Sequence, residues 1–264
     1  MTDYVLITGG AHRLGQALVR HFAKAGWQVW CHYSRSEAAA QALQAELGEK
    51  GHTLHLVQAD LSQQDQVLGM MAHIQSQCPG LRAIVNNASL FEPDQGLDFD
   101  PNLTRQQMDV NLMAPMLLAR ELARQQAAQQ AAQTAAHPDM PPAADAAVIH
   151  ILDQKVFNLN PDYFSYTVSK LALERAVALQ AQALAPHVRV CGVAPGLLYP
   201  SGPQDADNFA RASKVNLLRR PINPDDVAAT CVFLAQTASI NGTTLCVDNG
   251  QHLIPLARDV MFLA

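Results

Sequence analysis

The chain of 264 residues predicts an α/β domain: a doubly wound parallel sheet of about seven strands with helices on both faces. Three observations carry that prediction. Short β-branched runs alternate with helical patterns along the whole length, as a βαβ series requires. Most of these runs are apolar on both faces, which suits strands buried between two helical layers. A glycine-rich turn, "TGGAHRLG" (Thr8 to Gly15), then separates the first apolar run from the first helical pattern.

In order, the strands are read at 4–8, 28–33, 53–61, 81–89, 146–153, 188–196 and 243–250. Helical patterns fill the gaps at 14–25, 36–49, 63–77, 104–133, 163–184 and 224–236. No internal repeat or dividing linker appears, so residues 1–264 are expected to form one domain. The stretch 124–147 is rich in alanine and glutamine and reads as a solvated helix extension, stopped by His137-Pro138 and Pro141-Pro142. A loop at about 197–218 is expected to fold over a ligand.

Composition narrows the class. An apolar fraction of 49% and a charged fraction of 16% suit a soluble globular protein. A net charge of −5 opposes nucleic-acid binding, which needs a basic surface. No apolar run approaches the roughly 20 residues that span a bilayer, and with "MTDYVLITGG" entering a strand almost at once no signal peptide is expected. Cys31, Cys78, Cys191, Cys231 and Cys246 are scattered and form no CxxC pair. They read as reduced core thiols of a cytoplasmic protein, with no metal set.

The glycine turn is placed as in a Rossmann-like fold, where Gly9 and Gly10 admit a pyrophosphate to the start of a helix near Leu14. Position 13, where a third glycine is usual, is arginine. At the end of the second strand, where an NAD site carries an acid for the ribose 2′-OH, stand Ser34, Arg35 and Ser36. A guanidinium between two hydroxyls suits a 2′-phosphate. NADPH is therefore the expected cofactor.

The chemical centre is expected in "ILDQKVFNLNPDYFSYTVSK". Tyr166 and Lys170 lie four apart, on one helix face. A free phenol has a pKa of about 10, and the lysine cation, with the nicotinamide positive charge in the oxidised complex, is expected to lower it. Asp153 stands thirteen residues before Tyr166, at a strand end.

Taken together these pieces resemble the short-chain dehydrogenase/reductase family over essentially the whole chain. The matching residues are "TGGAHRLG", "ADL" (59–61), "NNAS" (86–89), Asn111, "YTVSK" (166–170), "APG" (194–196) and "VDNG" (247–250). Arg13 replaces the family's middle glycine and Asp153 its serine. Both departures resemble one branch, the pteridine and dihydromonapterin reductases, also described as alternative dihydrofolate reductases. "HYSRS", Phe91 and Tyr163 match that branch as well.

The resemblance implies a division of labour. NADPH would lie along Thr8, Gly9, Gly10, Arg13, Leu14, Gly15, Ser34, Arg35, Ser36, Asp60, Leu61, Asn87, Ala88, Ser89, Tyr166, Lys170, Pro195 and Gly196. Arg13, Ser89, Phe91, Asp153, Tyr163 and Tyr166 would hold a pterin or folate, with Phe91 stacking on its ring. Catalysis falls to Asp153, Tyr166, Lys170 and Asn111, with hydride passing to a C=N carbon and the Asp153/Tyr166 pair protonating the ring nitrogen through water. Asn111 is expected to support Lys170 through water, and a homotetramer to pack through the helices at 104–133 and 163–184. Two rival readings stand beside this one: a carbonyl or 3-oxoacyl thioester reductase, and a non-enzymatic NADPH sensor.

Overall fold

The computed structural model describes residues 3–78, 80–136, 146–202 and 204–263. Its strands are β1 (Tyr4–Ile7), β2 (Gln28–Tyr33), β3 (Leu54–Gln58), β4 (Leu81–Asn86), β5 (Ala146–Ile151), β6 (Val188–Pro195) and β7 (Thr244–Val247). They form one seven-stranded sheet in the order β3-β2-β1-β4-β5-β6-β7, and every neighbouring pair is parallel. The predicted strands are all present, several cut short at their carboxyl ends. β4 stops at Asn86 because Asn87 and Ala88 turn their amides onto the Thr8 hydroxyl, at 2.9 and 3.0 Å, instead of onto a neighbouring strand.

The helices are α1 (Arg13–Lys24), α2 (Glu37–Glu49), α3 (Gln64–Gln77), α4 (Pro101–Met108), α5 (Ala114–Ala136), α6 (Phe164–Ala183), α7 (Ala206–Ala212) and α8 (Pro224–Gln236). The pattern read at 104–133 is thus two helices, joined by a π turn over Asp109–Met113. It begins early because Asp100 caps the Asn102 amide and Pro101 suits the first turn. Residues 137–145, with the prolines expected to stop it, lie outside the described residues. α7 was not anticipated within the 197–218 loop; it starts where Asp205 accepts from the Asn208 amide at 2.7 Å.

Alternation along β1 divides the core. Val5 and Ile7 face Leu18 and Phe22 of α1 and Val227 and Leu234 of α8. Leu6 faces the opposite layer, with Met71 and Ile74 of α3 and Leu118 and Leu122 of α5. All these side chains are buried, and each contributes about 1.5–3 kcal/mol by leaving water. The chain leaves β1 toward β2 on one side and β4 on the other, so a crevice opens at the carboxyl ends of the strands. Among the described residues no helix is long and apolar enough to cross a membrane, and no cluster of His, Cys, Asp or Glu could hold a metal ion. The cysteines are free.

One buried histidine makes stability pH-dependent. His150, fully buried on β5, receives the Asn86 amide on Nδ1 at 3.1 Å and donates from Nε2 to Gln180 at 2.9 Å. Burial pushes its pKa down to about 4. The neutral ring's contribution is complete above the ordinary histidine value and is lost as pH falls from there toward 4. Between pH 7 and pH 5 the unfolding free energy should fall by about 2 kcal/mol on this account. Denaturant titrations of wild type and His150→Gln at both pH values check it: the variant should lack that part of the slope.

Candidate active site

A cleft of ≈ 1230 Å³ runs over the carboxyl ends of the strands, from Ser34, Arg35 and Ser36 past the glycine loop to Phe91, Asp153 and Tyr166. Its first wall is built by close approach. A Cβ on Gly15 would overlap the Gly9 carbonyl oxygen, and one on Gly10 would meet Cys31 Sγ at 2.7 Å. Gly9 has φ +62°. The loop is therefore folded so tightly that the first turn of α1 abuts its own backbone.

Arginine at the third glycine position preserves the path at a cost. Arg13 has φ +49°, a left-handed conformation that strains an L residue by about 1 kcal/mol. The exposed side chain leans toward the loop after β6, its guanidinium carbon 5.8 Å from the Tyr199 ring centre. A glycine would relax the backbone and remove a cation from the cleft.

Thr8 and Gly10 lie behind the wall and do not line the cleft. The buried Thr8 hydroxyl ties β1 to the start of the β4 loop, while Asn87 Nδ2 donates to the Thr8 and Gly9 carbonyls at 2.9 and 3.1 Å. Under the loop sits His32, a residue the sequence did not mark for a role. Its Nδ1 accepts the Gly9 amide at 3.1 Å, and Nε2 donates to the Ala59 carbonyl at 3.0 Å. Burial lowers its pKa, so one neutral tautomer joins the ends of β1, β2 and β3. Asp60 and Leu61 line the far side, where the Asp60 carboxylate accepts from the Ser62 amide and hydroxyl.

The chemical end is held by α6 and the turn after β5. Asp153 Oδ1 accepts the Lys155 amide at 2.8 Å, and Oδ2 accepts the Tyr166 hydroxyl at 2.9 Å. Burial raises the Asp153 carboxyl above its ordinary value, against the pull of the Lys155 amide and ammonium. Burial, with the Asp153 charge, also holds the Tyr166 phenol well above its ordinary value. In this protein alone, burial and the Asp153 carboxylate therefore set the direction of the phenol's shift. Lys170 is itself depressed to about 8 by burial, and its Nζ donates to the Ile151 carbonyl at 2.8 Å while standing 5.7 Å from the Tyr166 ring centre. Asp153 and Tyr166 thus form a buried hydrogen-bonded pair in which both groups have raised proton affinity.

Asn111 sits on the π turn, a distortion that turns its amide inward. It donates to the Leu90 carbonyl and Ser169 hydroxyl at 2.9 and 3.0 Å, and accepts from Leu90 N–H and Ser89 Oγ. Its hydrogen bonds therefore bind the Ser89–Leu90 wall to α6, and none goes to Lys170.

An aromatic group borders the acid. Phe91 stacks on Tyr163 with ring centres 4.2 Å apart and meets Tyr166 edge-on at 4.6 Å. Tyr163 does not begin the helix, as the pattern at 163–184 had it; it precedes Phe164 at φ +54°. The Ser165 amide is capped by Asp94 from across the chain. With its face under Phe91 and its hydroxyl donating to Met261 Sδ at 3.0 Å, Tyr163 supports the clamp from below.

Met261 belongs to a C-terminal segment that sequence reasoning left without a role. Arg258 pairs with Asp162 at 2.8 Å, and the Asp259 amide donates to the same carboxylate at 2.6 Å. Asp259 and Val260 line the cleft together with Lys155. Lys155 is only 3% exposed. Two residues after an aspartate, it reads in sequence as an ordinary solvated lysine, and its partner lies 104 positions away.

A nucleotide cradle at the switch point of a parallel sheet, joined to a Tyr–xxx–Lys helix, defines the class. Residues 9–252 match the family described as enoyl-(acyl carrier protein) reductase, and the chain belongs to the short-chain dehydrogenase/reductase family. It is similar to the dihydromonapterin reductase of Citrobacter koseri, with 28% identity over 94% of this chain and 96% of that protein. Among solved structures it resembles the FolM alternative dihydrofolate reductase 1 of Brucella canis complexed with NADP. That match has TM-score 0.85 and 35% identity, over 96% of this chain and 94% of that one. The Brucella suis counterpart, also with NADP, matches at TM-score 0.82 and 34% identity over 96% of both chains.

Proposed function

We propose that the protein is an NADPH-dependent oxidoreductase that reduces a dihydropterin or dihydrofolate to its tetrahydro form. The observation that carries this reading is the 2.9 Å hydrogen bond from Tyr166 to Asp153 at the cleft floor, beside the Phe91 ring. An alcohol beside the phenol would suit a ketone oxygen. A carboxyl of raised proton affinity suits a ring nitrogen that must be protonated as its C=N bond is saturated. The dihydromonapterin and alternative dihydrofolate reductases to which the chain is similar support the same substrate class.

The residues fit the cofactor. Gly9 and Gly15 fold the loop tightly against its own backbone and Ala88 and line the cleft at the start of α1, where a helix N-terminus would take a pyrophosphate. Ser34, Arg35 and Ser36 form a cationic, hydroxyl-rich rim for a 2′-phosphate. Asn87, Ala88, Ser89, Pro195 and Gly196 complete the walls. When bound, NADPH supplies the hydride. The chain's own residues do the rest: Lys170 fixes positive charge behind Tyr166, Tyr166 holds its proton on Asp153, and Phe91 orients a flat ring over the dyad. Arg13 adds a cation on the cofactor side, and Asn111 keeps the Ser89–Leu90 wall in place. Exposed Met113, Phe164, Val168 and Leu179 support packing of the α5 and α6 region into a homotetramer.

Steady-state kinetics with dihydromonapterin, dihydrobiopterin, dihydrofolate and an acetoacetyl thioester, each with NADPH, tests the reading. Dihydropterin or dihydrofolate turnover is expected, with the thioester poor. Asp153→Ser should lower pterin turnover about 100-fold and leave NADPH binding, read by fluorescence titration, intact. Unchanged turnover in that variant, or preference for the thioester, would overturn the proposal.

A further inference from the structure

The acid of this site has two charged neighbours outside the cofactor cradle, one of which, Lys155, also stands 5.5 Å from the centre of the Tyr163 ring that backs the aromatic clamp. Lys155 follows Asp153 on the same turn and gives it its backbone amide at 2.8 Å. The buried Lys155 Nζ then folds back, donating to the Asp162 carbonyl at 2.6 Å and lying 3.5 Å from Asp259 Oδ2. Asp259 Oδ1 accepts the Met261 amide, so it caps the C-terminal turn as well as facing the lysine. Asp162 holds the other side through Arg258 and the Asp259 amide. The result is an ion pair rigidly built into the cleft wall beside Asp153, assembled from two segments distant in sequence.

We propose that Lys155 and Asp259 are positioning residues that act as opposed charges on Asp153, and so set the pH range over which the site can deliver its proton. Few other charges face that carboxyl. From α6 come Tyr166, which donates to it, and Lys170, which is buried behind the phenol. Lys155 comes from its own turn and Asp259 from the C-terminal segment, while Arg258 is neutralised by Asp162. Lys155 draws the Asp153 proton affinity down, and Asp259 drives it up. Charges at this depth are weakly screened by salt. A carboxyl donor works below its pKa, so the alkaline limb of the rate profile reports the balance between the two neighbours.

The proposal rests on the reductase reading, and its test separates the two. The pH profile of kcat/KM with dihydropterin and NADPH is measured for wild type, Lys155→Met, Asp259→Asn, the double variant and Lys155→Arg. Lys155→Met should carry the alkaline limb to higher pH, Asp259→Asn should bring it to lower pH, and the double variant should lie between them. Lys155→Arg, which keeps the charge, should retain the wild-type midpoint. A residue that merely held the wall would lower the rate with the midpoint unmoved, or move both variants the same way; either result overturns the proposal. If Lys155→Met does not fold, Asp259→Asn decides alone, a downward midpoint supporting the proposal and any other overturning it. Carbon-13 titration of the Asp153 carboxyl in the full-length protein with NADP⁺ added, assigned by its loss in Asp153→Asn, needs no pterin. Opposite shifts there without pterin turnover would sustain this inference and sink the substrate; pterin turnover without opposite shifts would do the reverse.

Discussion

Replacing Tyr166 by phenylalanine should lower turnover about 1000-fold while NADPH affinity stays near that of the wild type. The phenol hydroxyl is buried at the cleft floor and donates to Asp153, so the substitution removes a donor from a carboxyl that burial already disfavours as an anion. Two losses follow: the phenol no longer passes a proton, and Asp153 grips its own more tightly. General acid–base groups contribute typically 10²–10⁴-fold, and loss of both partners' action puts the effect well inside that range. Single-turnover mixing of NADPH-loaded enzyme with substrate measures it, and fluorescence titration checks cofactor binding. A variant keeping a tenth of the wild-type rate would take the dyad out of the chemistry.

The second large effect is expected at Gly15. Its added Cβ would overlap the Gly9 carbonyl oxygen and lie 2.8 Å from Gly10 Cα. Both obstacles are backbone, so no side chain can swing aside and the loop itself must open. Gly15→Ala should therefore weaken NADPH binding by at least about 100-fold and destabilise the fold by about 1–3 kcal/mol, the usual cost of overpacking. Gly69→Ala supplies the control. That glycine lies within α3, where a Cβ meets nothing within 4 Å, and alanine there should stabilise by about 0.5–1 kcal/mol. Calorimetry and cofactor titration of the two variants should diverge in sign. If Gly15→Ala binds NADPH as wild type does, the cradle is misplaced.

Which parts of this were legible in the sequence follows from the range of the forces involved. β2 was delimited correctly because QVWCHY stands between the Gly26 turn, at φ +90°, and the polar run Ser34, Arg35 and Ser36. Asp153 and Tyr166 could be paired because both lie at predictable places, a strand end and a helix face. By contrast, the direction of the Tyr166 shift depends on desolvation, and no spacing reports how much water a phenol loses. The sequence also placed Thr8 at the cofactor, whereas its hydroxyl is consumed by Asn87 and Ala88. The Lys155–Asp259 pair was invisible for the plainest reason: its two halves are joined only by the folded chain.

That last separation bears on how the protein is made. Asp162 waits for Arg258 and the Asp259 amide, and until they arrive it lacks its direct ion pair and Lys155 lacks the Asp259 carboxylate. During synthesis the sheet can assemble first, but the cleft wall cannot close until the segment around Arg258 has left the ribosome. A nascent chain stalled short of that point would present an unfinished pocket with exposed aromatic rings, a form suited to capture by chaperones rather than to turnover.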